Sequence, residues 1–258
     1  MINGFIDIEN DEILEGPPPR NLVLYLGMLD YGTMQYHLPF FTHEGFEHCL
    51  AKWCVECYGD TTKSFLDLGA NVGLYSVILA KHFKKGYAFE PVRKTFANLC
   101  VSISANRITN VETHNLAIGN VEGIVKTRIG VGKDFAGSST ILEELREICN
   151  QRNFFDYEED ILITNLDSFD HVTDCAFIKM DVEGSEADVL RGGKSFIRRN
   201  NYPPILFESW AQETSIPSEK DIRLRLRQDL FETFKELGYN NIQAITGNLE
   251  MFIATKTV

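Results

Sequence analysis

Short apolar segments alternate along this chain with segments in which apolar residues recur every three or four positions. The first kind of segment predicts buried strands, and the second predicts helices. The predicted core strands are 65–68, 87–90, 111–118, 177–180 and 203–208. The predicted helices are 44–58, 74–82, 95–106 and 218–237. Strands that alternate with helices predict an α/β fold, in which helices cover both faces of a mostly parallel sheet.

The N-terminal part of the chain departs from this alternation. Residues 1–20 are polar and end in three prolines, 17–19, before Arg20. Because proline excludes both a helix and a ladder strand, this segment predicts a linker or an extended arm. Residues 21–42 predict two short strands or a hairpin. We therefore expect an N-terminal arm and cap over 1–58 and a main domain over 59–258.

The C-terminal segments 241–246 and 250–256 predict two further strands, joined around Gly247-Asn248 by a hairpin-type turn. Antiparallel strands at the end of an otherwise parallel sheet are common in α/β proteins. With the core strands, these two segments make a predicted sheet of seven strands.

Residues 131–165 are the least regular part of the main domain. The segment before them, 123–130, alternates in polarity and predicts an additional strand. Within the insertion, 143–153 predicts a helix and 161–166 a strand. An insertion between core strands is expected to serve either as a lid over an acceptor or as structural padding.

Composition limits the class of protein and of partner. Of the 258 residues, 44% are hydrophobic and 24% charged, as in soluble globular proteins, and the formal charge is −12. The sequence has no apolar run near the ~20 residues of a membrane span, and its first residues do not resemble a secretory signal. We therefore expect a cytoplasmic protein without a membrane span. Its net negative charge disfavours nucleic acid as a partner.

Cys54-Val-Glu-Cys57 has the C-x-x-C spacing of zinc and redox sites. However, the cysteines lie on or beside the apolar stripe of the predicted helix 44–58, where thiols act as small hydrophobes. A second C-x-x-C that would complete a structural zinc set is also missing. We interpret these cysteines as packing residues.

The segment 67–73, Asp-Leu-Gly-Ala-Asn-Val-Gly, joins a buried strand to a helix. Gly69 and Gly73 allow a tight turn and a close approach of a ligand. Asp67 lies at the carboxyl end of the strand, where open α/β sheets place their ligands. The glycine spacing differs from the Gly-x-Gly-x-x-Gly of dinucleotide folds, which argues against an NAD dehydrogenase. An ordinary turn without a ligand is the alternative.

Charged residues lie at the ends of three further predicted strands. Glu90-Pro91 ends the second strand, about 20 residues beyond the glycine turn, where nucleotide folds bind the ribose hydroxyls. Lys179, Asp181 and Glu183 alternate at the end of the strand 177–180, and such groups are costly to bury unless they are paired or used. The alternative interpretation is an ion pair between Lys179 and an aspartate at the edge of the sheet. Glu208 ends the next strand.

Two motifs resemble those of the FkbM-like methyltransferases: Asp67-x-Gly-Ala-Asn-x-Gly73, and Lys179-x-Asp-x-Glu-Gly-x-Glu186. Glu90-Pro91 and Ala117-Ile-Gly119 fit the same order, so the resemblance covers about residues 60–210. It implies a Rossmann-like methyltransferase fold, S-adenosylmethionine as cofactor, and methyl transfer to a hydroxyl oxygen. Sugars, glycans and polyketide-type natural products are the acceptors that the family implies, and we expect a sugar or glycan.

The resemblance also implies roles for individual residues. The implied cofactor-binding residues are Asp67, Gly69, Ala70, Asn71, Gly73, Glu90, Pro91, Asn115, Leu116, Ala117 and Ser139. The implied catalytic residues, which would face the methyl group and the acceptor, are Lys179, Asp181, Glu183 and Glu208. Asp181 is the first candidate for a general base. Alternatively, Asp181 and Glu208 would bind Mg²⁺. His37 and His43 are further candidates for the base.

Other functions stay open at this point. A second enzyme hypothesis is a methyltransferase whose acceptor is a small natural product. A non-catalytic, cofactor-binding partner subunit is a different class, and it would be expected to have a broken second motif. A nucleic-acid methyltransferase is disfavoured by the charge and by the lack of an Asn/Asp-Pro-Pro-Tyr/Phe motif. The oligomeric state is unknown.

Overall fold

The protein was analysed as a computed structural model, which describes residues 4–9, 12–14, 23–27, 45–130, 139–142, 155–210, 217–246 and 250–257. Its strands, in chain order, are β1 Gly4–Asp7, β2 Glu12–Leu14, β3 Val23–Gly27, β4 Asp60–Leu68, β5 Phe83–Phe89, β6 Val111–His114, β7 Ala117–Gly119, β8 Gly123–Gly130, β9 Ser139–Thr140, β10 Phe155–Asn165, β11 Cys175–Met180, β12 Ile205–Glu208, β13 Asn241–Ala244 and β14 Met251–Thr255. Its α-helices are α1 Phe46–Tyr58, α2 Leu74–Leu79, α3 Arg93–Ala105, α4 Glu186–Gly192, α5 Lys194–Arg199 and α6 Pro217–Leu237.

Seven strands form the central sheet, in the order β13-β14-β12-β11-β4-β5-β6. Neighbouring strands from β12 to β6 are parallel, whereas β14 runs antiparallel to both β12 and β13. This arrangement confirms the predicted mostly parallel seven-stranded sheet with an antiparallel C-terminal strand. The predicted turn at Gly247-Asn248 lies outside the described residues.

The central sheet is buried on both faces, which explains why its strands are apolar at consecutive positions. Phe65 packs on the face covered by α1 and α2, while Leu66 packs on the face covered by α4 and α6. In β11, Phe177 and Ile178 divide between the two faces in the same way. The α/β architecture with helices on both faces is therefore confirmed.

A second sheet of four strands has the order β7-β10-β8-β9. The prediction of one continuous strand over 111–118 is wrong, because the chain leaves the central sheet after β6 and enters the second sheet at β7. Between them, the side-chain amide of Asn115 donates hydrogen bonds to the carbonyl oxygens of Glu90 and Pro91, at 2.9 and 2.8 Å. These bonds hold the connection against the end of β5.

The strand predicted at 161–166 begins earlier, at Phe155, because β10 pairs with β8 along its length. The first part of this strand was not predicted, because residues 158–160 are charged and interrupt the apolar pattern. They lie on β10, where Glu158 forms an ion pair with Arg128 of β8. The helix predicted at 143–153 lies outside the described residues.

The N-terminal segment contains more structure than an extended arm. Strand β1 pairs antiparallel with both β2 and β3, so residues 4–7 and 12–14 are not simply a linker. The backbone N–H of Val23 donates to Asn106 Oδ1 at 3.0 Å, and that of Tyr25 donates to Ser102 Oγ at 2.9 Å. These bonds dock β3 on α3. Within the described ranges, no helix combines the length and the apolarity that crossing a membrane requires.

Candidate functional site

A cleft lies at the carboxyl ends of β4, β5 and β11. Gly69 and Asn71 line it from the turn after β4, and Glu90 lines it from the end of β5. Asp181 and Glu183 line it from the loop after β11. The two sequence motifs and the acid of the second strand therefore meet in one cleft, because parallel strands end at the same edge of the sheet.

The turn after β4 requires glycine at Gly69. This residue has φ +74°, and a Cβ atom there would lie 1.7 Å from the carbonyl oxygen of Asp181. Asn71 is also left-handed, with φ 50°. Gly73, at φ +99°, begins α2, and its added Cβ would meet Leu99 of α3 rather than the cleft. The turn thus packs directly against the loop that carries Asp181.

The side chain of Asp67 is completely buried beneath this turn. Its Oδ2 accepts a hydrogen bond from Ser76 Oγ at 2.6 Å, and its Oδ1 lies 3.7 Å from Lys179 Nζ. Burial raises the pKa of Asp67, and the Lys179 charge opposes this shift in part. Asp67 therefore contacts Ser76 of α2 and Lys179 of β11, and it links the helix after the turn to the second motif.

Lys179 connects the two motifs. Its Nζ donates a hydrogen bond to the carbonyl oxygen of Gly69 at 2.7 Å and lies 3.5 Å from Asp181 Oδ2. Burial would lower the pKa of Lys179, but the negative charges of Asp181 and Asp67 raise it above its ordinary value. The residue is consequently a buried cation that fixes the turn, not a base.

Glu90 is buried at the wall of the cleft, where both of its oxygens have backbone partners. Oε2 accepts from the N–H of Asn71 at 3.0 Å, and Oε1 accepts from the N–H of Val92 at 2.9 Å. Burial raises the pKa of Glu90 to about 7, against the effect of these hydrogen bonds. Each carboxylate oxygen has a second lone pair, so Glu90 can still accept hydrogen bonds from a ligand.

The other predicted cofactor residues have different surroundings. Pro91, Leu116 and Ala117 line the cleft. Ala70 is buried, and its N–H donates to the carbonyl oxygen of Phe89 at 2.8 Å. Ser139 lies in β9, where its backbone pairs with Ile129 of β8. The Asn115 side chain holds the Glu90-Pro91 connection, as described above.

The cleft has further lining residues that the sequence did not indicate. Thr127, Ile141 and Ile161 line it from the second sheet and its neighbouring segment. Ser185 lines it from the loop after β11, with 3% of its surface exposed, and its hydroxyl lacks a hydrogen-bond partner among the described residues. Alternation in β8 and β10 predicts which residues point inward, but only the fold shows that they face this cleft.

The loop after β11 has an unusual backbone. Glu183 has φ 55° and Gly184 φ 95°, both in the left-handed region. Glu186 holds this shape, because its Oε1 accepts from the N–H groups of Val182 and Gly184 at 3.0 and 3.2 Å. Burial raises the pKa of Glu186 to about 7. A strained loop held by a buried acid is typical of a functional site.

Glu208 does not line the cleft but a second, smaller pocket, which Gly184, Trp210 and Arg223 also line. Its Oε2 accepts a hydrogen bond from Trp210 Nε1 at 3.0 Å. Burial, together with the nearby carboxylate of Asp181, raises the pKa of Glu208 well above its ordinary value. Because Asp181 lines the cleft and Glu208 does not, Asp181 is the better-placed carboxylate.

The predicted alternative of a magnesium site receives no support. Within the ranges that the structure describes, no group of three or more His, Cys, Asp or Glu side chains is placed to hold a metal ion. The candidate bases His37 and His43 lie outside the described residues. On α1, Cys54 is buried, and burial raises its pKa, which fits a packing role.

The central sheet and the cleft at its carboxyl edge define a Rossmann-like methyltransferase fold. The solved structure of a putative O-methyltransferase from Klebsiella pneumoniae has this fold, with a TM-score of 0.51 and 12% identity, covering 88% of this chain and 87% of that chain. The family model of the methyltransferase FkbM domain matches residues 67–240. The chain therefore belongs to the FkbM methyltransferase family.

Individual relatives are distant. "Methyltransferase 1" of Beauveria bassiana (strain ARSEF 2860) is 23% identical over 145 residues, which is 49% of this chain and 57% of that protein. This chain thus spans little more than half the length of that relative. The structure of the FkbM methyltransferase from Methylobacillus flagellatus KT has a TM-score of 0.46 and 16% identity, with coverage of 87% of this chain and 53% of that chain.

Proposed function

We propose that this protein is an S-adenosylmethionine-dependent O-methyltransferase that acts on a hydroxyl of a sugar or glycan. Membership of the FkbM family supports the reaction class. The observation that carries the proposal is that Asp181 lines the same cleft as Gly69 and Glu90. The carboxylate that we propose as the base and the acid that we propose to bind the ribose therefore line one cleft.

Different residues of the cleft would contact different parts of the cofactor. The turn 69–73 would hold the methionine part, since Gly69 brings the backbone close to the ligand. Glu90 would accept hydrogen bonds from the ribose hydroxyls. Leu116 and Ala117 would flank the adenine. When bound, the cofactor supplies a methyl group that its sulfonium has already activated.

Asp181 is proposed as the general base. Its carboxylate would accept the proton of the acceptor hydroxyl while the acceptor oxygen bonds to the methyl carbon and the carbon–sulfur bond breaks. The buried Lys179 holds Asp181 close to the glycine turn, with Nζ 3.5 Å from Asp181 Oδ2. Alignment of the acceptor, the methyl group and the sulfur would account for much of the rate.

Two features support this function over the alternatives. Lys179, Asp181 and Glu183 are all present, and Asp181 and Glu183 line the cleft, unlike the broken motif expected of a non-catalytic partner subunit. The net charge of −12 favours a neutral acceptor over a nucleic acid. A small natural product would be methylated by the same chemistry, so acceptor assays must separate it from a sugar. A cytoplasmic location stays a prediction.

The first test is a calorimetric titration of the protein with S-adenosylhomocysteine. We expect binding by the wild-type protein and at least tenfold weaker binding by Glu90→Ala. S-adenosylhomocysteine at a hundred times its dissociation constant should also raise the free energy of unfolding by about 2.7 kcal/mol. If the wild-type protein does not bind at millimolar ligand, the proposal is wrong.

The second test uses S-adenosylmethionine with a labelled methyl group and a panel of methyl glycosides and polyketide-type alcohols. Asp181→Asn should lower the rate of transfer by about 10²- to 10⁴-fold, the usual contribution of a general base, while S-adenosylhomocysteine still binds. Asp170→Asn removes an exposed carboxylate of the loop before β11 and should behave like the wild type. Equal loss of binding and transfer in Asp181→Asn would contradict its role as a base.

A further inference from the structure

A series of contacts links helix α1 to the turn that lines the cleft. Helix α1 precedes residues 67–240, which the family model matches. Its residue Glu47 accepts, through Oε2, a hydrogen bond from the hydroxyl of Tyr75 at 2.7 Å. The ring of Tyr75 lies under Lys179, with 5.4 Å between Nζ and the ring centroid. Lys179 in turn donates to the carbonyl oxygen of Gly69.

Packing alone does not require these polar groups. Tyr75 is 4% exposed and lies in the first turn of α2, beside apolar residues such as Leu74 and Val77. A phenylalanine would fill the same space without a hydroxyl that must find a partner. Likewise, burial raises the pKa of Glu47, whereas the hydrogen bond from Tyr75 lowers it. A carboxylate is a costly choice for a helix that merely packs on a domain.

The Glu47–Tyr75 pair also lies close to the charged groups of the two motifs. The charges of Asp181 and Lys179 both act on Glu47, so the three groups belong to one electrostatic cluster. Lys179 is also within ion-pair distance of Asp67. Any movement of the Lys179 ammonium would therefore affect the turn at Gly69 and the carboxylate of Asp181 together.

We propose that Glu47 and Tyr75 are positioning residues of the cofactor site. Glu47 belongs to helix α1, which precedes the residues that the family model matches. Glu47 holds the Tyr75 ring under Lys179, and Lys179 then holds the turn at Gly69. This inference rests on the proposed function, since it assigns both residues to the binding of S-adenosylmethionine and S-adenosylhomocysteine.

Three substitutions separate the components of this contact. Glu47→Ala removes the hydrogen-bond acceptor, whereas Glu47→Gln retains an acceptor oxygen. Tyr75→Phe retains the aromatic ring but removes the hydroxyl through which Glu47 holds it under Lys179. We expect Glu47→Ala and Tyr75→Phe each to raise the dissociation constant of S-adenosylhomocysteine about fivefold, a typical size for coupling through intervening residues. Glu47→Gln should stay within about twofold of the wild type.

The double variant provides a stronger test than either single one. If both residues act through one hydrogen bond, Glu47→Ala with Tyr75→Phe should bind no more weakly than the weaker single variant. Glu56→Ala is the matched control, because Glu56 lies on the same helix with its side chain exposed. Its dissociation constant should equal that of the wild type.

Thermal unfolding of the same variants distinguishes positioning from stability. A purely structural role would lower Tm while the folded protein kept its affinity for S-adenosylhomocysteine. An unchanged dissociation constant in Tyr75→Phe, a change mild enough to preserve the fold, would overturn the inference even if Glu47→Ala failed to fold. Absence of binding by the wild type would instead overturn the proposed function, and this inference with it.

Discussion

Lys179 Nζ donates a hydrogen bond to the carbonyl oxygen of Gly69 at 2.7 Å, although the two residues are 110 positions apart. The contact joins the glycine turn after β4 to the charged end of β11. Because β4 and β11 are adjacent parallel strands, with Lys179 in register with Asp67, the motifs hold each other directly.

Removal of the buried cation should destabilise the protein. Lys179→Met leaves the buried Asp67 without its compensating charge and removes the bond to Gly69. Loss of one partner of a buried ion pair typically costs about 3–5 kcal/mol, and we expect a loss of this size in urea-induced unfolding at pH 7. Lys194→Met, an exposed residue of α5, should lie within about 0.5 kcal/mol of the wild type.

A methyl group at Gly69 should disrupt the turn and the cleft together. In Gly69→Ala the new Cβ would lie 1.7 Å from the carbonyl oxygen of Asp181, so the loop after β11 must move. We expect a loss of stability of more than about 1 kcal/mol and at least tenfold weaker S-adenosylhomocysteine binding by calorimetry. Gly123→Ala is the control, since Gly123 also has positive φ, at +138°, but nothing lies within 4 Å of its added Cβ. Similar loss of affinity in both variants would contradict the steric argument.

Glu90 should make stability depend on pH. Its pKa rises from 4.5 to about 7 on folding, so the folded state binds more protons than the unfolded state between these values. The contribution of protonated Glu90 is therefore complete below about pH 4.5 and lost as pH rises through about 7. Urea-induced unfolding at pH 5, 6, 7 and 8 should show this decline, and it should be smaller in Glu90→Gln. An identical pH dependence in both proteins would contradict this assignment.

Loss of the Glu186 side chain should release the loop after β11. Glu186→Ala leaves the N–H groups of Val182 and Gly184 without their acceptor, which costs about 1–3 kcal/mol when such groups stay buried. Because Asp181 and Glu183 belong to this loop, methyl transfer should fall more than S-adenosylhomocysteine affinity. Glu186→Gln retains one acceptor oxygen and should recover most of the transfer. A larger effect on cofactor affinity than on transfer would show that the loop serves binding.

Much of the central fold follows from local sequence. Consecutive apolar residues at 65–66 and 177–178 predict strands buried on both faces, and both lie in the centre of the sheet. Because parallel strands end at one edge of the sheet, the acids that follow these strands lie near one another, and Glu90 and Asp181 line one cleft. The family motifs add the identity of the fold, which local patterns cannot supply.

The sequence determined which strands form the central sheet and which charged residues follow them, because hydrophobic period and turn residues are local properties. Only the tertiary structure decided that the chain changes sheets at Asn115, since this depends on carbonyl groups 24 and 25 positions away. It likewise decided that Thr127 and Ile161 face the cleft and that Glu47 contacts Tyr75. These contacts join segments that are far apart in the chain, so their geometry is set by packing of the whole domain and not by any local pattern.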